Sequence, residues 1–302
     1  MELFKTLKEI QNIYSKGGNM MNYLKNKTNT NQNTIEAILI SYDFQAGNYI
    51  KKAQKYLEYE EQFSNNIFEV INKYGDFNSL MEVGVGEATT FIPVIKKLPP
   101  SKKYYGFDIL WSRVKYAKMN LKKNIINDAS LFIGDLFNIP LLDNSIDFIY
   151  TSHSLEPNGG KEKEALQELY RVTNNYLFLF EPSNEFGDKE TNDHIVKNGY
   201  VKNLYQVAKD LGYKIVEHKL LYKKNHLSAN NTALLVIEKE KGLVVNNNTF
   251  SCPITNTPLE LIRGNYFSKE SLLLYPVVDE IPCLLQSNAI VATHYLDDFK
   301  SI

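Results

Sequence analysis

The sequence predicts an α/β protein: a seven-stranded, mostly parallel sheet with helices on both faces, a helical lid before it and a small module after it. Three observations predict this. Between Ser79 and Glu238, short apolar runs alternate with segments of helical period, the pattern of strands joined by crossover helices. Residues 1–75 carry helical periodicity and little strand signal. Beyond residue 240 the chain turns polar and then breaks into short strand-like pieces between turn residues. The expected divisions are a lid region over 1–65, a main domain over 66–240 and a terminal module over 249–302.

The elements follow in order. Leu3, Phe4, Leu7, Ile10, Ile13 and Tyr14 are spaced as one amphipathic helix, ended by Gly17-Gly18. Asn26 to Asn33 reads as a loop. Tyr49 to Tyr74 reads as one or two helices, with Tyr56, Phe63, Ile67, Val70 and Ile71 on the apolar side. Strands are expected at 79–83, 104–108, 130–134, 146–152, 176–181, 214–221 and 233–238, and helices at 88–97, 111–123, 161–172 and 201–211. No helix separates the last two strands, which fits an added antiparallel strand. A polar linker is expected at 241–248, then short strands at 259–262 and 272–278.

Bulk properties narrow the class. The 302 residues are 43% hydrophobic and 23% charged, as in soluble globular proteins. The net charge is −1, and the lysine pairs Lys102-Lys103, Lys122-Lys123 and Lys223-Lys224 are scattered, which argues against a nucleic-acid partner. Two cysteines, Cys252 and Cys283, make no disulfide framework and fit a reducing compartment. No apolar run is long enough to span a membrane, and residues 1–5 lack the build of a signal peptide, so the expected location is cytoplasmic.

Three motifs carry chemistry. The first is Glu82-Val83-Gly84-Val85-Gly86-Glu87-Ala88, placed between a strand and a helix. Gly84 permits a tight turn, Gly86 permits close backbone approach to a ligand, and the helix start offers free N–H groups. Alone this loop suits a dinucleotide, a nucleoside-type methyl donor or a structural turn. The second is Asp108, ending Tyr-Tyr-Gly-Phe-Asp at about the 20-residue spacing expected of an acid that grips ribose hydroxyls. Its alternative role is a helix cap. The third is the run Ile133-Gly134-Asp135-Leu136, Ile139-Pro140-Leu141, Asp143-Asn144-Ser145-Ile146-Asp147.

This third run, with Glu82, Gly84, Gly86 and Asp108 before it, resembles the class I S-adenosylmethionine-dependent methyltransferase family, whose fold is Rossmann-like. Ala88 stands where many members have a third glycine. The resemblance implies S-adenosyl-L-methionine as cofactor and S-adenosyl-L-homocysteine as product. It implies that Glu82, Gly84 and Gly86 hold the methionine end, that Asp108 binds ribose, and that Asp135 and the Leu136 amide bind adenine. Ser152 is expected at the boundary between cofactor and substrate.

Methyl transfer needs an aligned acceptor and sometimes a proton acceptor. In Thr151-Ser152-His153-Ser154-Leu155-Glu156-Pro157-Asn158, His153 is the candidate base and Glu156 its orienting partner, the alternative being that His153 only supports its loop. Tyr42, Tyr49, Asn158 and Glu181 are candidate substrate contacts, with Gln45 as a further lid residue. The Asn/Asp-Pro-Pro-aromatic motif of amino-base methyltransferases is missing.

The tail pieces Ser251-Cys252-Pro253-Ile254-Thr255 and Tyr275-Pro276-Val277-Val278-Asp279-Glu280-Ile281-Pro282 resemble the small activator-subunit family of tRNA and release-factor methyltransferases. Thr255 replaces a ribbon cysteine of that family, so no zinc is expected. The module is expected to cover apolar surface of the main domain, add to a substrate wall or mediate homodimer contacts. The expected substrate is a small polar metabolite, methylated at an oxygen of a sugar or surface-glycan precursor. The alternatives are methylation of tRNA or a translation protein, and a non-catalytic S-adenosylmethionine-binding partner.

Overall fold

Helical spacing of apolar residues shapes the first quarter of the chain. The computed structural model describes residues 3–30, 34–223, 231–240 and 250–297. The helices α1 (Leu7–Ser15), α2 (Met20–Thr28) and α3 (Ile35–Asp43) bury Ile10, Leu24, Ala37 and Ile40 in a small core of their own. Asn19 and Thr34 cap α2 and α3 by accepting a first-turn N–H. α2 continues to Thr28 and stops at Asn29, which takes the left-handed conformation at φ 50°. The loop expected from Asn26 therefore begins later, and its residues 31–33 lie outside the described residues. α4 (Asn48–Lys55) and α5 (Leu57–Lys73) follow. α5 buries Phe63, Ile67, Val70 and Ile71 against the main sheet, so the division expected between residues 65 and 66 falls inside a helix.

The alternating region runs β1 (Ser79–Val83), α6 (Phe91–Ile95), β2 (Lys103–Asp108), α7 (Trp111–Lys123), β3 (Ala129–Ile133), β4 (Ile146–Ser152), α8 (Glu162–Val172), β5 (Thr173–Pro182), α9 (Lys189–Asn198), α10 (Leu204–Asp210), β6 (Lys214–Tyr222) and β7 (Thr232–Glu238). The seven strands lie in the order β3-β2-β1-β4-β5-β7-β6. β1 to β5 are parallel, and β7 enters antiparallel between β5 and β6. Both faces are covered. Phe148, Tyr150, Phe178 and Phe180 fill one side, and Ile149, Leu177, Leu179 and Ile237 the other. This is the two-sided burial that makes central parallel strands read as continuous apolar runs.

Two helices differ from expectation. The segment expected from Ala88 is helical only over Phe91–Ile95, because Ala88 itself sits at φ 59° and its N–H closes a turn on the Val85 carbonyl. α9 was not expected: of its ten residues only Thr191 and Ile195 are buried, too few to show a period. Its end signals are nonetheless present, Asp188 accepting the Thr191 N–H and Gly199 closing the helix at φ 67°.

The tail forms β8 (Glu260–Ile262), β9 (Asn265–Ser268), β10 (Leu273–Tyr275), β11 (Val277–Val278), β12 (Ile281–Pro282) and β13 (Ile290–Val291). Pro276 divides the single strand expected at 272–278 into β10 and β11. The linker expected at 241–248 lies outside the described residues. This tail packs onto the free edge of the main sheet. Cys283 bridges Ile133 in parallel, and the Leu284 N–H donates to the Ile133 carbonyl at 3.0 Å. Ser251 N–H donates to the Pro140 carbonyl, and the Asn138 amide donates to the Pro253 carbonyl at 2.7 Å. Cys252, Leu259, Tyr275 and Leu284 share one core with Ile139 and Leu141. Among the described residues, no group of three or more His, Cys, Asp or Glu could hold a metal ion, and no helix is long and apolar enough to cross a membrane.

Candidate active site

The connections from β1 and β4 leave to opposite sides of the sheet, so a crevice opens beyond their carboxyl ends, the usual ligand position in such sheets. A cavity of about 410 Å³ lies there. Its floor begins at Glu82, which is 3% exposed and accepts the Tyr150 hydroxyl at 2.8 Å. Burial pushes the Glu82 carboxyl up to about 8; the Tyr150 hydrogen bond works downward and the Asp108 charge upward. Gly84 follows at φ 72°, where a Cβ would fall 2.3 Å from that of Ser154. Both the backbone conformation and the close approach therefore require glycine.

Asp108 joins the glycine loop to the next strand. One carboxylate oxygen accepts the Gly86 N–H at 3.1 Å and the other the Leu110 N–H at 3.0 Å. Burial raises its pKa, while Arg113 and the backbone N–H groups pull it down. Asp135, after β3, accepts the Phe137 N–H at 3.0 Å, which shapes the turn holding Leu136. Gly86, Asp108, Asp135, Leu136 and Ser152 all line the cavity with Glu82 and Gly84.

The loop after β4 forms the next wall. His153 takes the left-handed conformation at φ 53° and donates its N–H to the Phe180 carbonyl. One oxygen of Glu181 accepts the next two amides, Ser154 at 3.0 Å and Leu155 at 3.2 Å. The cavity is lined by His153, Glu156 and Asn158 but not by Glu181, which is buried beneath this loop. Glu181 thus holds the wall and does not form it. The Asn158 amide also turns back, to the Leu155 carbonyl at 3.3 Å. Both imidazole nitrogens of His153 are engaged: Nδ1 with Glu156 at 3.0 Å and Nε2 with the Thr232 hydroxyl at 2.8 Å. Burial pulls the imidazole pKa down, but the Glu156 hydrogen bond and the charges of Glu156 and Glu181 outweigh it, and the net shift is upward.

The N-terminal helices close the roof. Ile35, Ile38 and Tyr42 come from α3, Tyr49 and Lys52 from α4, and Tyr59, Glu60 and Phe63 from α5. Helical spacing puts Tyr59 and Phe63 on one face, and the Phe63 ring lies 5.9 Å from that of His153. Burial raises the Glu60 pKa, with Lys52 and His153 working downward. The roof is fastened by Glu87 of the glycine loop. Its two oxygens accept the Gly47 and Ile50 N–H groups, each at 2.8 Å, at the start of α4. Gln45, expected in the lid contacts, donates instead to the Ser41 carbonyl and is not on the cavity wall.

Sequence reasoning missed Glu60, Lys52, Tyr200, Thr232 and Arg113. Only Glu87 lay in a recognised motif, and its carboxylate had no assigned role. Lys52 and Glu60 come from helices, Tyr200 follows α9 and Thr232 begins β7, all far from any motif, while Arg113 lies in the helix that follows Asp108.

The residues present fit S-adenosylmethionine. Three carboxylates, Glu82, Asp108 and Asp135, line a cavity of small-ligand size and can accept from ammonium, hydroxyl and amino groups, and Gly84 and Gly86 keep the same wall free of side chains. Residues 80–175 match the family model described as a methyltransferase domain. A demethylmenaquinone methyltransferase of Geobacillus sp. (strain WCH70) is 27% identical over 92 residues, 30% of this chain and 39% of that relative. The chain thus spans well under half the length of that curated relative. Among solved structures, the magnesium protoporphyrin IX methyltransferase of Synechocystis PCC 6803 with bound SAH superposes with a TM-score of 0.51 at 14% identity, covering 67% of this chain and 98% of that one. A SAM-dependent methyltransferase of Aquifex aeolicus gives 0.44 at 20% identity, covering 56% and 87%. The segment that matches the methyltransferase-domain model includes every cofactor candidate from Glu82 to Ser152.

Proposed function

We propose that the protein transfers the methyl group of S-adenosylmethionine to an oxygen of a small polar metabolite, a sugar or surface-glycan precursor being the class that suits the cavity best. The observation that carries this reading is the roof. Helices α3, α4 and α5 of the chain itself close over the acceptor side and enclose a cavity of small-ligand size, about 410 Å³. Tyr59 and Phe63 offer aromatic faces to the C–H side of a sugar ring. Glu60 and Lys52 offer an acceptor and a donor for its hydroxyls.

The cofactor supplies an electrophilic methyl group; the protein aligns the acceptor and takes its proton. In this reading Glu156 holds the Nδ1–H of His153, and Nε2 exchanges the Thr232 hydroxyl for that of the acceptor. Asn158 keeps the loop in shape.

The test is a methyl-transfer assay on cell extract separated into small molecules, RNA and protein. Label is expected in the small-molecule fraction. Label in RNA or protein instead would replace this reading with a macromolecular acceptor. On the fraction that accepts label, His153→Ala should lower turnover about 10²- to 10⁴-fold with S-adenosylhomocysteine binding retained. Unchanged turnover would leave His153 as a loop support only.

A further inference from the structure

The cofactor's amino-acid end has a carboxylate, which calls for a cationic partner. Only three cations or potential cations line the cavity among the described residues: Lys52, His153 and Arg113. Lys52 and His153 both act on Glu60, on the acceptor side. Arg113 stands on the cofactor side. It comes from the first turn of α7, directly after Asp108, and its guanidinium reaches to 3.8 Å from where a Gly86 Cβ would be.

Arg113 is 7% exposed, yet among the described residues no carboxylate lies within ion-pair distance of it. Its Nε donates a long hydrogen bond to the Tyr42 carbonyl, 3.4 Å, and its Nη2 has no partner. The guanidinium carbon sits 4.3 Å from the Tyr49 ring centre and 5.0 Å from that of Tyr42. Such contacts hold the plane of the group in place and leave its N–H edge for another partner. A buried guanidinium with an unpartnered N–H is costly unless an anion completes it.

We propose that Arg113 binds the carboxylate of the cofactor's amino-acid end and, through Tyr42 and Tyr49, couples that contact to closure of the lid. Glu82, by the same logic, faces the neighbouring ammonium. The two charged groups of the amino-acid end then meet opposite charges on opposite sides of the Gly84–Gly86 turn. Lid closure is sensitive to the ligand because the residue that reads the carboxylate is also the one packed between the lid tyrosines and the glycine loop. The inference rests on the S-adenosylmethionine reading of this cavity.

The test compares two ligands by calorimetry on the full chain. S-adenosylhomocysteine has the amino-acid end; 5′-methylthioadenosine has the same nucleoside without it. Arg113→Gln should weaken S-adenosylhomocysteine binding about 10- to 100-fold and leave 5′-methylthioadenosine binding as in the parent. Arg113→Lys, which keeps the charge without the fork, should fall between. In the parent, S-adenosylhomocysteine but not 5′-methylthioadenosine should slow hydrogen exchange of residues 35–55, and Arg113→Gln should abolish the difference. Equal weakening of both ligands would make Arg113 a structural residue and overturn the proposal. Unchanged binding of both would overturn it as well. If the parent binds neither ligand, the cofactor reading itself fails, and this inference with it.

Discussion

Glu82 carries an unusual load for one side chain. It is buried among apolar strands, hydrogen-bonded to Tyr150, and its carboxyl is pushed up to about 8 from an ordinary 4.5. A carboxyl raised in the folded state holds a proton that the unfolded chain releases earlier. Its contribution to stability is therefore lost as pH climbs from about 4.5 to about 8, the reverse of a salt-bridged acid. Glu82→Gln should flatten this: melting temperatures of parent and variant should diverge in the variant's favour between pH 5 and pH 9. Ligand binding should show the opposite slope. An ammonium facing Glu82 favours the ionised form, so S-adenosylhomocysteine should bind the parent more tightly as pH rises toward 8, by up to about tenfold per unit. In Glu82→Gln that slope should vanish. Calorimetry across pH 6 to 8 decides it; a pH-independent parent would mean that Glu82 does not meet the ammonium. At this scale the motif residues were legible because their chemistry is local: Gly84, Gly86 and Asp108 stand out by spacing along strand ends, and Asp135 by the run of residues that resembles the family. Arg113 and Glu60 were not, because nothing in a helical run of mixed charge tells which side chain turns inward. Glu181 shows the converse. It was readable as a polar residue at a strand end, but whether it faces the cavity or the underside of the 153–158 loop depends on packing that only the fold decides.

The lid helix α4 depends on a partner distant in sequence. It has no buried residue of its own, and its N-cap, Gly47, makes no side-chain cap; the Glu87 carboxylate from the glycine loop serves instead. Glu87→Ala should cost about 1–3 kcal/mol, since two N–H groups and a helix dipole lose their acceptor together. The loss should be local: limited proteolysis is expected to cut within residues 35–55 of the variant while the sheet stays protected. A uniform loss of protection would mean that α4 unfolds only with the whole domain. The end of the first helix was readable from Gly17-Gly18. The shortened α6 was not, because the left-handed Ala88 belongs to the turn that serves the cavity and so overrides the preference of alanine for helix.

Across the whole molecule, the tail and the main domain make one body. Arg171 on α8 donates to the Leu141 and Ile139 carbonyls and pairs with Glu168 and Asp143, while Asn256 of the tail reaches the same Asp143. Lys115 and Lys118 on α7 pair with Asp279 and Glu280 on the far side. A chain ended at residue 240 would uncover Ile139, Leu141 and the β3 edge, surfaces that associate when exposed. It should elute as aggregate in size exclusion and bind S-adenosylhomocysteine more weakly than the full chain. A monomer of parental affinity would show that the tail is dispensable for the cofactor cavity. The alternation of strand and helix made the central sheet readable in advance. That the tail covers apolar surface of the main domain was among the expectations, but the place where it docks was not readable, because the contact between Cys283 and Ile133 is a single bridge between distant segments with no local signature.

The contact from Asn138 to Pro253 joins residues 115 positions apart, and it lies beside Asp135 and Leu136. During synthesis the strands β1 to β7 emerge first and can pair, since domains fold largely as they leave the ribosome. The loop beyond β3 would then wait, half-supported, for the tail to arrive. The cofactor cavity is in this sense the last part of the protein to be finished, and a nascent chain that has already built its sheet has yet to acquire the full grip on its ligand.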